Sequence, residues 1–271
     1  MRQVFLSSAL ALVTTTAAGA EQIAPAALSQ LPPADVVILG ETHDNPWHHA
    51  NQAAAVAALQ PAALVFEMLT PEQAALVTPD LRGDAAALGA ALGWAESGWP
   101  DFAMYHPIFT AAPEAAIHGA ALPRDEVRRA VSEGAAAVFG AAAAAYGLDD
   151  ALPPEEQASR EAEQMEAHCN AMPAALMPGM VEAQRLRDAA LARATQQALS
   201  ETGGPVAVIT GNGHARTDWG MVQPLARVAP DARMLAIGQF EAAPSDPPPF
   251  DLWLVTEPAE RPDPCAVFRG E

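Results

Sequence analysis

Short apolar runs that end abruptly in glycine or in a charged residue predict three buried β-strands. These runs are residues 35–40 (DVVILG), 63–68 (ALVFEM) and 205–211 (PVAVITG). Each is nearly continuous in its hydrophobicity, which is typical of strands that are covered on both faces in a parallel sheet. Residues 232–240 and 251–256 are weaker strand candidates. The pattern therefore predicts a central, mostly parallel sheet.

The segment between the first two runs predicts a helix. Asp44 or Asn45 can cap its N-terminus, and Pro46 fits its first turn. A strand, a helix and a strand within about 30 residues form a βαβ unit with a right-handed crossover. The fold class that we expect is α/β, with the sheet flanked by helices. His48 and His49 fall in the first turn of this helix, where we expect an exposed polar face.

Residues 112–200 differ in composition from the rest of the chain. They are rich in alanine, the best helix former, and are interrupted by glycine and proline. We expect an Ala-rich helical insertion that packs beside the sheet and is not an independent module. Residues 21–268 would then form a single α/β domain.

The first twenty residues resemble an export signal. Arg2 supplies a positive charge, residues 4–13 are mainly apolar, and residues 18–20 fit a small-x-small cleavage site. The apolar run is too short for a membrane span, and no cysteine follows it to carry a lipid anchor. We therefore expect cleavage near Ala20, a periplasmic or secreted protein, and no stable membrane insertion.

The composition bears on partners and on redox state. The chain carries 33 acidic and 14 basic residues, a formal net charge of −19. A field of that sign repels phosphate backbones, so we expect no nucleic-acid partner.

Cys169 and Cys265 are the two cysteines. Export to an oxidising compartment would allow a disulfide between them, and two unpaired thiols are the alternative.

Two Gly-x-x-His motifs each follow a predicted buried strand directly: GETH at residues 40–43 and GNGH at residues 211–214. Because ligands of open α/β sheets bind beyond the carboxyl ends of the strands, we expect Glu41, His43, Glu67 and His214 to converge there. Two imidazoles with one or two carboxylates are a common ligand set for Zn²⁺. The alternative is structural: histidines that bond to loop backbone, and a salt bridge at Glu67.

Several motifs follow one another in a recognisable order. They are LGETHDNPWHH, FEM, YHPIF with LPR, HCNAMP with MPGMVEAQRLRDAALA, ITGNGHART and RPDPC. In this order they resemble the ChaN-like family of bacterial haem-binding proteins. That family belongs to a broader group with TraB and Tiki proteins and erythromycin esterases. The resemblance runs from about residue 35 to residue 268.

The resemblance implies an α/β core with a helical subdomain, a cleft at the two Gly-x-x-His motifs, and a role in haem and iron uptake. Haem iron can be held by tyrosine or histidine, so Tyr105 and His168 are candidate axial ligands. Arg124 is a candidate partner for a haem propionate. Gln184 and Arg187 share one side of a helix and complete the candidate haem contacts. Asp188 also shares a side with Gln184, and a polar surface face is the alternative for these three residues.

The broader group also implies an alternative, a metal-dependent peptidase or esterase. His43, His214 and Glu67 would then hold a divalent metal such as Zn²⁺, which polarises a carbonyl or activates water. Glu41 would be the general base. The sequence leaves open whether the chain is an enzyme and whether it forms a homodimer. An inactive exported protein with a structural cluster is the third alternative.

Overall fold

The computed structural model describes residues 19–263 and 265–266. The predicted export signal lies outside these residues, apart from its last two positions. Within the described part of the chain, no helix is long and apolar enough to cross a membrane.

Seven parallel strands form one central sheet, in the spatial order β1-β7-β6-β2-β5-β3-β4. The strands are β1 (Glu21–Gln22), β2 (Val36–Glu41), β3 (Ala63–Phe66), β4 (Ala116–Gly119), β5 (Val206–Gly211), β6 (Met234–Phe240) and β7 (Leu252–Val255). This confirms the predicted α/β class and parallel sheet. The two weaker strand candidates of the sequence are β6 and β7.

The sheet has a core on each face, as the continuous apolar runs predict. Every residue of β2 and β5 is buried. Val37 and Leu39 of β2 face one core cluster, and Val36 and Ile38 face the other. Successive side chains of a strand point to opposite faces, so a strand covered on both sides must be apolar throughout.

Helices cover both faces. They are α1 (Pro46–Leu59), α2 (Pro71–Ala74), α3 (Pro79–Arg82), α4 (Ala85–Ala91), α5 (Phe102–Ala111), α6 (Arg124–Glu133), α7 (Ala135–Phe139), α8 (Pro154–Ala167), α9 (Met177–Thr202), α10 (Asn212–Ala215) and α11 (Val222–Val228). The N-cap of α1 is Asn45, whose side chain accepts hydrogen bonds from the backbone N–H groups of Trp47 and His48. Gln60 ends α1 in the left-handed conformation.

The predicted helical insertion, residues 112–200, differs from the observed structure at its beginning. Residues Ala116–Gly119 form β4, which pairs in register with Ala63–Phe66 of β3 at the edge of the sheet. After β4 the region is helical, and its longest helix, α9, packs against the sheet through Leu186 and Leu191. Helix α6 approaches α9 closely: a Cβ atom added to Gly179 would lie 2.3 Å from the carbonyl oxygen of Val131.

The C-terminal segment is fastened to the rest of the molecule at two places. Cys169 and Cys265 form a disulfide, so the first of the two alternatives left by the sequence is the one observed. The Arg261 guanidinium contacts Asp44 Oδ2 at 2.7 Å and Glu241 Oε2 at 2.7 Å. The hydrogen bond from Arg261 is the main cause that lowers the pKa of Glu241 to about 2.

Candidate functional site

Strands β2, β5 and β3 lie side by side, and their carboxyl ends bring four ionisable side chains together. Glu41 is the last residue of β2, and His43 follows two residues later. Glu67 directly follows β3, and His214 lies in α10, directly after β5. The two Gly-x-x-His motifs therefore meet at one edge of the sheet, where open α/β folds bind ligands.

Glu41 is the buried centre of this cluster. Its Oε1 atom accepts hydrogen bonds from the Tyr105 hydroxyl at 3.0 Å and from His43 Nδ1 at 2.8 Å. Its Oε2 atom accepts no well-aligned hydrogen bond, although His49 Nδ1 lies 3.2 Å away. Burial opposes ionisation, but the contacts with His43 and His49 outweigh it and lower the pKa of Glu41. Glu41 is therefore a carboxylate, and the Nδ1–H of His43 is the donor.

His43 is the most accessible of the four. Its side chain is 37% exposed, and its ring makes an edge contact with Trp99 at a centroid distance of 4.9 Å. Burial alone would lower the pKa of His43, but its hydrogen bond to Glu41 and the nearby Glu67 charge raise it. With Nδ1 directed at Glu41, Nε2 is the ring nitrogen that remains for a ligand.

The exposed polar face predicted for His48 and His49 is wrong, because both histidines are buried. His49 Nε2 donates to the carbonyl oxygen of His43 at 2.8 Å. His48 Nδ1 accepts from the backbone N–H of Thr42 at 2.8 Å, and burial lowers the pKa of His48 to about 4. Both rings hold the loop that follows β2, a role that helix position alone does not reveal.

His214 and Glu67 form the second half of the cluster. His214 Nδ1 bonds to Asp188 Oδ1 at 2.7 Å, and its Nε2 lies 3.6 Å from Glu67 Oε1. Glu67 Oε2 accepts hydrogen bonds from the Thr210 hydroxyl and the Gly211 N–H. Burial opposes ionisation of Glu67, but the neighbouring His214 and His43 charges lower its pKa to about 2.

Asp188 is a site residue that the sequence did not single out. On α9 it shares a side with Gln184, which suggested a polar surface, but Asp188 is buried and bonds to His214. Burial raises the pKa of Asp188 against the opposing effect of His214. The available clue was a single acid between Leu186 and Leu191 on the apolar side of α9.

Two clefts open beside the cluster, and His43, Gln184 and His214 line both of them. The smaller, about 360 Å³, extends toward α8 and Asp188. The larger, about 750 Å³, is here called the arginine cleft. Its apolar wall includes Met68, Trp99, Leu122, Val127 and Leu191, and its basic residues are Arg124, Arg128 and Arg187.

The three arginines of this cleft have no carboxylate within salt-bridge distance among the residues that the structure describes. Arg124 donates to the carbonyl oxygen of Ser97, and Arg187 is half-buried. The adjacent Arg129, by contrast, pairs with Glu133 at 2.8 Å. In a strongly acidic chain, this places three guanidinium groups without ion-pair partners at a cleft that Glu67 and Glu96 also line.

The two candidate axial ligands lie elsewhere. Tyr105 is fully buried in the core, and its hydroxyl group donates to Glu41. Burial, and to a smaller extent the negative charge of Glu41, raise the pKa of Tyr105. His168 caps the end of α8, with Nδ1 2.7 Å from the carbonyl oxygen of Gln164. Neither residue lines the arginine cleft, in contrast to the expectation that they face a porphyrin. Arg124, Arg187 and Gln184 do line it.

The candidate metal ligands His43, His214 and Glu67 are neighbours, but they do not form a metal site. Among the described residues, no group of three or more His, Cys, Asp or Glu side chains is arranged to hold a metal ion. The zinc hydrolase alternative therefore has no support from this arrangement. The role of Glu41 as a general base was tied to that alternative and stays a prediction.

Comparison with protein-family models gives one decisive match. The model of the family described as "Haem-binding uptake, Tiki superfamily, ChaN" matches residues 27–225, more than half of the chain. The chain belongs to this family. A comparison with curated proteins gives no match.

Two solved structures match this chain, and of these two only the first is similar enough to bear on its fold. One is a structure of cofacial haem binding to ChaN of Campylobacter jejuni, with a TM-score of 0.62 and 18% sequence identity. The match covers 81% of this chain and 86% of that one. The type III effector HopBA1 matches with a TM-score of 0.43 and 12% identity, over 86% of this chain and 92% of that one. The ChaN match supports the α/β architecture described above.

Proposed function

We propose that this chain is an exported protein that binds haem in the arginine cleft for haem or iron uptake. The observation that carries the proposal is the set of three arginines without carboxylate partners, Arg124, Arg128 and Arg187, beside an apolar wall and an imidazole. Haem has the matching chemistry: an apolar macrocycle, two propionates, and an iron that takes imidazole as a ligand.

The charge distribution supports an anionic ligand at this place. Seven other arginines form ion pairs with carboxylates; they are Arg129, Arg160, Arg185, Arg216, Arg227, Arg233 and Arg261. A half-buried guanidinium without a counter-ion is unfavourable, and a bound carboxylate would relieve it. The guanidinium group is also suited to paired hydrogen bonds with carboxylates.

The size and walls of the cleft support a large, flat ligand. Its volume of about 750 Å³ falls within the range of roughly 300–1,000 Å³ usual for cofactor and ligand sites. Trp99, Leu122 and Val127 are only partly buried and offer apolar contact for a macrocycle, while Arg128 is exposed. Haem would be held here as the molecule to be carried.

Export is the second part of the proposal. The N-terminal segment resembles a signal peptide, and the Cys169–Cys265 disulfide is of the kind that persists in oxidising compartments such as the periplasm. A periplasmic or secreted protein that binds haem would serve uptake. For ChaN of Campylobacter jejuni the haem binding is cofacial, so we expect a homodimer of this chain if two porphyrins stack.

Haemin titration of the purified chain, followed by absorbance in the Soret region, tests the proposal. We expect saturable binding at about one haem per chain, and sedimentation of the loaded protein gives its oligomeric state. Weak, non-saturating binding, or binding equal to that of a protein of similar negative charge, would contradict the proposed function.

A further inference from the structure

Few side chains in the arginine cleft are of a kind that binds haem iron. Histidine, tyrosine, cysteine and methionine are the haem ligands of proteins. Both cysteines are in the disulfide. Among the described residues of the other three types, only His43, Met68 and His214 line the cleft.

Two of these three are poorly placed. His214 bonds to Asp188 through Nδ1, its Nε2 lies 3.6 Å from the Glu67 carboxylate, and its side chain is only 10% exposed. Met68 is 3% exposed. The His43 side chain, at 37% exposed, is the accessible one.

The glycine of the second motif allows the His43 ring to approach the backbone closely. A Cβ atom added to Gly211 would lie 3.0 Å from His43 Nε2, closer than ordinary contact. Gly211 has φ −65° and ψ 152°, a conformation that any residue adopts. Backbone geometry therefore does not require glycine here, whereas the close approach of the His43 ring does.

We propose that His43 binds the haem iron through Nε2, and that Glu41 is the positioning residue that holds the His43 ring for this role. The inference rests on the proposed function, since it concerns the same cleft. When a carboxylate accepts the Nδ1–H of a ligating histidine, it fixes the tautomer and ring orientation and leaves the Nε2 lone pair for the metal.

Glu41 is itself held in place from the other side. The Tyr105 hydroxyl donates to Glu41 Oε1 at 3.0 Å, the same oxygen that accepts from His43. His49 Nε2 donates to the carbonyl oxygen of His43 at 2.8 Å, so the backbone of His43 is fixed as well as its ring. Tyr105 thus has a structural part in the haem site without touching the iron.

The test compares haemin binding and spectra of the unchanged chain with those of His43→Gly and Gly211→Ala. Gly213→Ala is the matched control, because a Cβ atom there meets nothing within 4 Å. We expect His43→Gly to bind haemin at least about tenfold more weakly with a displaced Soret band, which added imidazole restores. Gly211→Ala is expected to weaken binding similarly, and Gly213→Ala to stay within about twofold of the unchanged chain.

A fourth variant tests the positioning role. Glu41→Gln keeps a hydrogen-bond acceptor near His43 Nδ1 but removes the negative charge. The His43 imidazole should then donate less electron density to the iron, and the electron paramagnetic resonance spectrum of the bound haem should change. An unchanged spectrum would overturn the role of Glu41. Circular dichroism checks that each variant is folded. If His43→Gly does not fold, the haemin affinity of Gly211→Ala tests the role of His43 instead.

The outcomes separate this inference from the proposed function. If the unchanged chain binds haemin saturably and His43→Gly leaves the Soret band and affinity unaltered, the axial ligand is another residue and the inference alone is overturned. If the unchanged chain does not bind haemin saturably, the proposed function fails and the inference fails with it.

Discussion

Removing the charge of Arg187 should weaken haemin binding more than removing that of Arg128. Arg187 is half-buried on α9 beside His214, whereas Arg128 is exposed on α6. A hydrogen bond to a charged group contributes about 1.5–3 kcal/mol when partly shielded from water, and an exposed ion pair contributes about 0.2–1 kcal/mol. Because about 1.4 kcal/mol corresponds to a tenfold change in Kd, Arg187→Gln should weaken binding roughly tenfold or more and Arg128→Gln at most about fivefold.

The double variant should lose about the product of the two factors if both arginines contact the same ligand independently. The assay is haemin titration at low and at physiological salt, where screening reduces surface electrostatics. The unchanged chain should lose more affinity with added salt than the double variant does.

Each helix supplies a matched control for this experiment. Arg193 lies on α9 like Arg187, but its guanidinium stacks 4.5 Å above the Phe139 ring. Arg129 follows Arg128 on α6 and pairs with Glu133. Both Arg→Gln controls should bind haemin within about twofold of the unchanged chain. Equal losses in Arg187→Gln and Arg193→Gln would refute a local role for the cleft arginines.

Three further predictions concern stability. Cys265→Ser removes a disulfide whose cysteines are 96 residues apart, and denaturant titrations should show an unfolding free energy about 2–4 kcal/mol lower. A thiol assay of the unchanged chain should find no free thiol. Arg261→Gln should lower the unfolding free energy by about 1 kcal/mol above pH 4.5. Because the pKa of Glu241 in the folded protein is about 2, the difference in stability between this variant and the unchanged chain should disappear as the pH falls toward 2. Gly179→Ala should separate α6 from α9, lower the thermal midpoint by an amount equivalent to about 1–3 kcal/mol, and weaken haemin binding; an unchanged midpoint would contradict the close approach.

Much of the fold could be predicted because its determinants are local in sequence. Strands buried on both faces must be apolar throughout, so β2 and β5 stand out as continuous runs. Parallel strands share one carboxyl edge, so two Gly-x-x-His motifs after such runs are predicted to lie at that edge, and they meet because β2 and β5 are neighbours. The edge strand β4, with the sequence AIHG, is short and only half-buried, and it was not distinguished from the alanine-rich helices around it.

The site was predictable only in part, because its hydrogen-bond partners are distant in sequence. Tyr105 joins Glu41 across 64 positions, and Asp188 joins His214 across 26. Neither pairing has a local pattern: the family resemblance made Tyr105 a candidate haem ligand, and helix position placed Asp188 on a polar surface. His49 was assigned to an exposed face although its partner, the His43 carbonyl group, is near in sequence, because the loop conformation that brings the two together has no sequence pattern.

The most direct test of haem binding in the arginine cleft is a crystal structure of the haemin-loaded chain, with anomalous scattering recorded at the iron edge. We expect one iron peak per chain inside the cleft, beside His43, with the propionates directed at Arg124, Arg128 and Arg187. An iron peak outside this cleft, or crystals of haemin-treated protein without any ordered iron, would contradict it.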